Sequence, residues 1–394
     1  MYACALTACR LSFRTRGGER IRVVESPMSH ARVTMIGAFP PPVGGAALVN
    51  AAVYDDLVAA GVEVTPIDVA GPTLGHTRNL AYHARRAARN LRGLMRARTL
   101  ASRDAALYIV PDAGLGAWYT RVHMAAVAQR YGAVMIHHHS CRYIEQYDRA
   151  IAAVATAAAD MATHVFLTDG MATAFRHQYG DVKFRVAANA GAVADEAARL
   201  PAPRHAGPIR LGHLSNLCAD KGFFAVADAF DAVRAAGLDA TLTLAGPILE
   251  QTVADRIANL VAAHGMSVRH VGSLAGDDKL GFYRDIELFL FPTNFKQEAA
   301  PLVIYEALAA GCPVLATDRG LIAEIVPALG GAVCARDADF SSVVLGYLRE
   351  QPWTQGARDR RAAEIKDWIR AESVKSTAQR KALVAQLAAP LGRG

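Results

Sequence analysis

The chain has 394 residues, 52% of them hydrophobic and 20% charged, with a formal net charge of +7. That length exceeds what one core usually serves, so two domains are expected, and the composition excludes a disordered chain. No apolar run is long enough to cross a bilayer, and the six cysteines (Cys4, Cys9, Cys141, Cys218, Cys312 and Cys334) lack paired metal-ligand spacing and read as thiols of a reducing cytoplasm.

Residues 1–30 carry Arg10, Arg14, Arg16, Arg20 and Arg22 with little periodicity and no signal-peptide pattern. They read as a disordered N-terminal arm, with Met28 as an alternative start. Residues 32–38 form the first expected strand and 46–60 the first helix. Between them, Gly44 and Gly45 would let backbone approach a ligand, although a purely structural turn has the same pattern. From Arg78 to Arg103 the arginines Arg78, Arg85, Arg86, Arg89, Arg92, Arg96, Arg98 and Arg103 crowd together with Leu80, Leu91, Leu94, Met95 and Leu100, and no acid appears until Asp104. A basic amphipathic helix of this kind suits an anionic membrane surface; a solvated helix is the plainer reading, and no aromatic interleaving supports nucleic acid.

Strands are expected at 105–110, 133–137, 163–168 and 183–186, with helices between, which argues a doubly wound parallel sheet. At the end of one strand stand His137, His138 and His139. Strand alternation puts His137 and His139 on one side, but adjacent histidines on opposite faces chelate poorly and no carboxylate has ligand spacing, so no metal is expected. A hydrogen-bonded strand end is the plain alternative to a functional His139. Residues 189–208 turn to Ala, Pro and Gly and read as an interdomain linker.

A second alternating set follows, with strands at 209–213 and 240–245 and a helix at 222–236. In the loop LSNLCADKG, Ser215 and Asn216 offer hydrogen bonds and Lys221 a mobile cation. Leu288 to Phe291 reads as a buried strand ended by Pro292. Pro301 is placed at the first position of a helix over 302–310, stopped by Gly311 and Pro313 before a strand at 314–316. The helix start, with free N–H groups expected over Ala300 to Leu302, is a place for a diphosphate. Glu298 in the loop and Glu306 in the helix would then take sugar and ribose hydroxyls; a helix-entry acid and a solvated residue are the ordinary readings. Residues 355–387 read as one more helix.

The stretch 291–326 resembles the E-x7-E region of the retaining nucleotide-sugar glycosyltransferases of family 4 (glycosyltransferase group 1), through Glu298, Ala299, Ala300, Pro301, Leu302, Glu306, Ala310, Gly311, Pro313, Val314, Thr317, Asp318, Gly320 and Glu324. The resemblance extends more thinly over 31–390. It implies an α/β GT-B fold, two Rossmann-like doubly wound parallel-sheet domains facing each other across a cleft. The expected organisation is an arm at 1–30, an acceptor-binding domain at 31–188, a linker at 189–208, a nucleotide-sugar-binding domain at 209–370, and a helix at 371–394 crossing back to the first domain. It further implies a catalytic pair, His139 and Glu298, with the donor held by Gly44, Gly45, Ser215, Asn216, Lys221, Ala300, Pro301, Leu302 and Glu306. Many members have Arg where this chain has His213, which leaves a second phosphate cation in question.

The expected activity is transfer, with retention, of a sugar from a nucleoside diphosphate sugar to a hydroxyl of a glycan or lipid-linked glycan, in polysaccharide or glycolipid assembly. It needs no cofactor or metal, and it is placed in the cytoplasm, peripherally on the membrane. Two other readings stay open: a non-catalytic GT-B partner, supported by His213, and another GT-B enzyme such as a nucleotide-sugar epimerase, for which no separate acid/base set is visible.

Overall fold

The computed structural model describes residues 31–41, 44–70, 79–158, 161–192, 207–389 and 391. The arm at 1–30, Arg78 and the bulk of the expected linker, 193–206, lie outside them. Nine of the twelve strands fall where apolar runs or alternation place them or within a residue or two, because a parallel strand covered on both faces is apolar almost throughout.

The first sheet contains β1 (Arg32–Gly37), β2 (Glu63–Asp68), β3 (Ala105–Ile109), β4 (Ala133–His137), β5 (Ala162–Phe166) and β6 (Phe184–Val186), in the order β2-β1-β3-β4-β5-β6 with every pair parallel. The second contains β7 (Ile209–Leu214), β8 (Ala240–Ala245), β9 (Val268–His270), β10 (Leu288–Phe291), β11 (Val314–Thr317) and β12 (Gly331–Cys334), in the parallel order β12-β11-β10-β7-β8-β9. The helices are α1 (Gly45–Ala59), α2 (Leu80–Leu100), α3 (Ala117–Val127), α4 (Arg142–Glu145), α5 (Arg149–Ala158), α6 (Asp169–Tyr179), α7 (Phe223–Ala235), α8 (Gln251–His264), α9 (Gly276–Asp285), α10 (Leu302–Ala309), α11 (Ile322–Ile325), α12 (Phe340–Glu350) and α13 (Gln355–Ala388). This is the two-domain, doubly wound α/β architecture that the resemblance implies.

Element ends depart from the expected ones for local reasons. β1 stops at Gly37 because Asn50 Nδ2 binds the Ala38 carbonyl at 2.9 Å. β5 stops at Phe166, since Thr168 is the cap of α6, its hydroxyl accepting from Met171 N at 3.0 Å. Gly222 is outside α7: its φ of +78° is left-handed, and a Cβ there would lie 1.9 Å from the Pro292 carbonyl oxygen. Pro301 is the cap of α10 rather than its first residue, with an extended ψ of 128°. β2 escapes a sequence reading because Pro66 stands within it; as an edge strand it can lack one N–H.

The first sheet is covered on one face by a cluster including Leu107, Ile109, Met124 and Ile136, and on the other by one including Val33, Met35, Tyr108 and Leu383. A third cluster joins the two halves, with Tyr143, Phe166 and Phe175 of the first beside Phe289, Ile304 and Ile365 of the second. The 34-residue α13 runs along both. Its Ala362, Ile365 and Ile369 are buried early in its course, and Leu383, Val384 and Leu387 pack at its end in the core of the first half. Residues 189–192, read as the start of a linker, form a 3-10 turn stapled to this helix: Ser376 Oγ accepts from Gly191 N at 2.8 Å.

Candidate active site

The second sheet delivers its chemistry at strand carboxyl ends. After β7, the 3-10 turn Ala219–Lys221 closes on Gly222 and aims Lys221 at the loop following β10. Its Nζ lies 2.6 Å from Glu298 Oε2, and the Thr293 hydroxyl donates to the same oxygen at 3.2 Å. Lys221 also stands 4.4 Å from the centre of the Phe295 ring. Glu298 is only 9% exposed, so the ordinary helix-entry reading fails for it. Gly320 lets this loop close, because a Cβ there would meet the Glu298 carbonyl oxygen at 2.3 Å.

α10 starts at Leu302, and Ile304 N already bonds to Pro301 O at 3.2 Å. Pro301 has no N–H, so the open donors expected at this helix start are those of Leu302 and Val303. One turn on, Glu306 is bound on both oxygens, by Lys279 Nζ at 2.5 Å and by the donating Tyr283 hydroxyl at 2.9 Å. Burial, and then the Glu306 charge, push the Tyr283 phenol well above its ordinary pKa, so it remains a donor.

The three histidines have separate positions. His137 Nδ1 is 2.6 Å from the Tyr108 hydroxyl. His138 bridges the Tyr143 hydroxyl at 3.0 Å and His164 Nδ1 at 2.9 Å. Both are core groups held neutral, first by burial and then by neighbouring imidazoles. His139 alone of the three reaches the cleft, its ring centre 4.0 Å from that of His137 and the two planes tilted by 49°. Burial lowers its pKa to about 4 and its Nε2 has no partner among the described residues, so it presents a neutral imidazole.

His213 supplies no phosphate cation. It is fully buried, with its pKa lowered by burial to about 4. Its Nδ1 faces the Leu290 carbonyl at 2.8 Å and must donate there, so Nε2 accepts from Ser215 Oγ at 2.8 Å. The Ser215 oxygen therefore keeps its lone pairs for another donor.

Every candidate residue lines one of two adjoining cavities. One, of about 410 Å³, is bordered by Gly44, Gly45, His139, Asn216, Lys221, Glu298, Ala300, Pro301 and Leu302. The other, of about 480 Å³, adds Ser215 and Glu306 to residues shared with the first. Among the described residues no group of three or more His, Cys, Asp or Glu side chains converges as a metal set would.

Residues 208–349 match the family model described as glycosyl transferases group 1. This segment belongs to the group 1 glycosyltransferases. No curated protein matches the chain in sequence. Among solved structures the chain resembles Anabaena HepE in complex with UDP and glucose, at 15% identity over 91% of this chain and 99% of that one, with a TM-score of 0.62. It also resembles the trehalose 6-phosphate synthase of Burkholderia multivorans, at 14% identity over 91% and 96% of the two chains and a TM-score of 0.64. At these identities the likeness establishes the fold, which is GT-B.

Around the glycosyltransferase segment, three residues join the site that sequence reading missed. Asn189, taken as linker, donates from Nδ2 to the Ala300 carbonyl at 2.8 Å and ties the first half to the approach of α10. Lys279 and Tyr283 hold Glu306, and their i, i+4 spacing on one helix face was the available signal.

Proposed function

We propose that the protein is a retaining glycosyltransferase that moves a sugar from a nucleoside diphosphate sugar to a hydroxyl acceptor. The observation that carries this reading is the convergence of Lys221, Glu298, Glu306 and the α10 start on one cleft. Lys221 and the N–H groups of Leu302 and Val303 take the diphosphate and stabilise the departing charge. Glu306, aligned by Lys279 and Tyr283, accepts from ribose hydroxyls. As the diphosphate draws off the Lys221 ammonium, Glu298 is released to orient the donor sugar, with neutral His139 on its reacting face. Retention fits attack from the leaving-group side, the departing phosphate removing the acceptor proton. That related folds were crystallised with UDP, or with UDP and glucose, supports a nucleotide donor.

Titration with UDP, GDP and ADP tests the reading. The matching nucleotide should raise the melting temperature by several degrees, since a ligand at a hundredfold excess over its Kd stabilises the folded state by about 2.7 kcal/mol. Indifference to all three would remove the donor site.

The proposal extends to an anionic membrane surface as the place of work, with the exposed arginines of α2 as the residues that would serve it. Arg86 is ion-paired with Asp112 and Arg89 with Asp68, so the segment's cations do have acidic neighbours, brought from the loop after β3 and the end of β2. Arg85, Arg92, Arg96 and Arg98 remain exposed on α2 together with Leu80, Leu91 and Met95. α3 packs beside α2 and adds exposed Trp118 and Val122. Among the described residues no helix is long and apolar enough to cross a membrane. Sedimentation with vesicles should require anionic lipid, weaken with salt, and vanish when Arg85, Arg92, Arg96 and Arg98 become Gln. Failure of the parent protein to bind anionic vesicles at low salt would leave α2 a solvated helix.

A further inference from the structure

A third cavity, of about 360 Å³, opens off the donor cleft, sharing Gly44, Gly45 and His139 with it. It lies at the carboxyl ends of β1 and β3, where the strand order β2-β1-β3-β4 reverses, the position at which open parallel sheets bind ligands. Its wall is built around the Arg86–Asp112 ion pair. The Arg86 guanidinium stands 5.7 Å from the centre of the Tyr119 ring, and its buried Nε has no hydrogen-bond partner among the described residues. Asp112, with a side chain 44% exposed, accepts from Ala113 N at 3.1 Å and keeps further lone pairs. Among the described residues no other Asp, Glu, Lys or Arg lines this cavity. Burial lowers the pKa of His123 as it does that of His139, so both are neutral near pH 7.

The wall is thus polar, aromatic and without net charge. A carboxylate beside a guanidinium matches neighbouring sugar hydroxyls, one accepting O–H groups and the other donating to their oxygens, and tyrosine faces offer apolar surface to ring C–H groups. An anionic group would meet a guanidinium already neutralised and the Asp112 carboxylate next to it.

We propose that this cavity is the acceptor subsite and takes an uncharged sugar residue, whose hydroxyls bind the Arg86–Asp112 pair; this rests on the transferase reading above. Gly116 supports the pair sterically, because a Cβ there would lie 2.5 Å from Asp112 Cγ and 2.7 Å from Arg86 Nη2. Both contacts are with side-chain ends, so Gly116→Ala should displace the pair without unfolding the chain.

Saturation-transfer NMR with neutral methyl hexosides (gluco, galacto and manno), glucose 6-phosphate and glucuronate tests the proposal on the full chain. The parent should give signals from a neutral hexoside and not from the anionic probes. Asp112→Asn, which leaves Arg86 uncompensated, should weaken the neutral sugar about tenfold and bring up binding of an anionic one, tenfold being the scale of one hydrogen bond to a charged group. Arg86→Met should abolish both, and Gly116→Ala should weaken the neutral sugar. Nucleotide-induced stabilisation should persist in all variants; its absence from the parent would instead indict the transferase reading. Preference of the parent for a sugar phosphate or uronate, no signal from any probe, or neutral binding indifferent to these substitutions would overturn the assignment.

Discussion

Lys221→Met should lower kcat by about 10²- to 10³-fold, the scale on which one preorganised donor to a developing charge acts. Gly222 holds a left-handed φ against Pro292, and this fixes the short turn from which the Lys221 ammonium reaches the cleft. Its present partner is Glu298, at 2.6 Å, with the two side chains 20% and 10% exposed. Removing Lys221 alone strands a buried carboxylate and so costs stability as well as rate. The double variant Lys221→Met with Glu298→Gln separates these effects, because removing both charges relieves the unpaired one. It should recover melting temperature and recover no activity. Restoration of turnover in the double variant would return Lys221 to a structural role.

Glu298→Gln should lower kcat/KM by roughly 10- to 150-fold, corresponding to loss of a charge-assisted hydrogen bond of about 1.5–3 kcal/mol. Binding of the nucleoside diphosphate should move the other way or stay level. In the parent the diphosphate must compete with Glu298 for the Lys221 ammonium, and in the variant it meets a neutral amide. Steady-state kinetics beside calorimetric titration of the nucleotide give both quantities. A loss of nucleotide affinity equal to the loss of kcat/KM would mean that Glu298 holds the nucleotide and not the transferred sugar.

The parts of this site that are legible in sequence are those encoded locally. Leu288 to Phe291 announces a strand because all its side chains are buried. The loop, cap and helix from Glu298 to Glu306 can be read because helix starts have local chemistry, although Pro301 takes the cap itself. What stays hidden is long-range. Nothing near Arg86 or Arg89 announces Asp112 or Asp68, and those pairs decide which arginines face outward. His213, set against an expected cation, becomes intelligible only when Leu290 and Ser215 are seen on its two nitrogens. Asn189 was lost in an Ala, Pro and Gly background, since the helix that staples its turn lies some 185 residues further along the chain.

Above all, the protein should transfer a sugar from a nucleotide donor with the anomeric configuration kept. Proton NMR of reactions containing UDP-, GDP- or ADP-sugars and a neutral hexoside acceptor measures it directly, through release of nucleoside diphosphate and the coupling at the new anomeric carbon. Stoichiometric release and a product with the donor's own configuration are expected, with both signals lost in Glu298→Gln and Lys221→Met to the extent given above. An inverted product would contradict retention, and a nucleotide that binds but is never turned over would make the protein a non-catalytic partner.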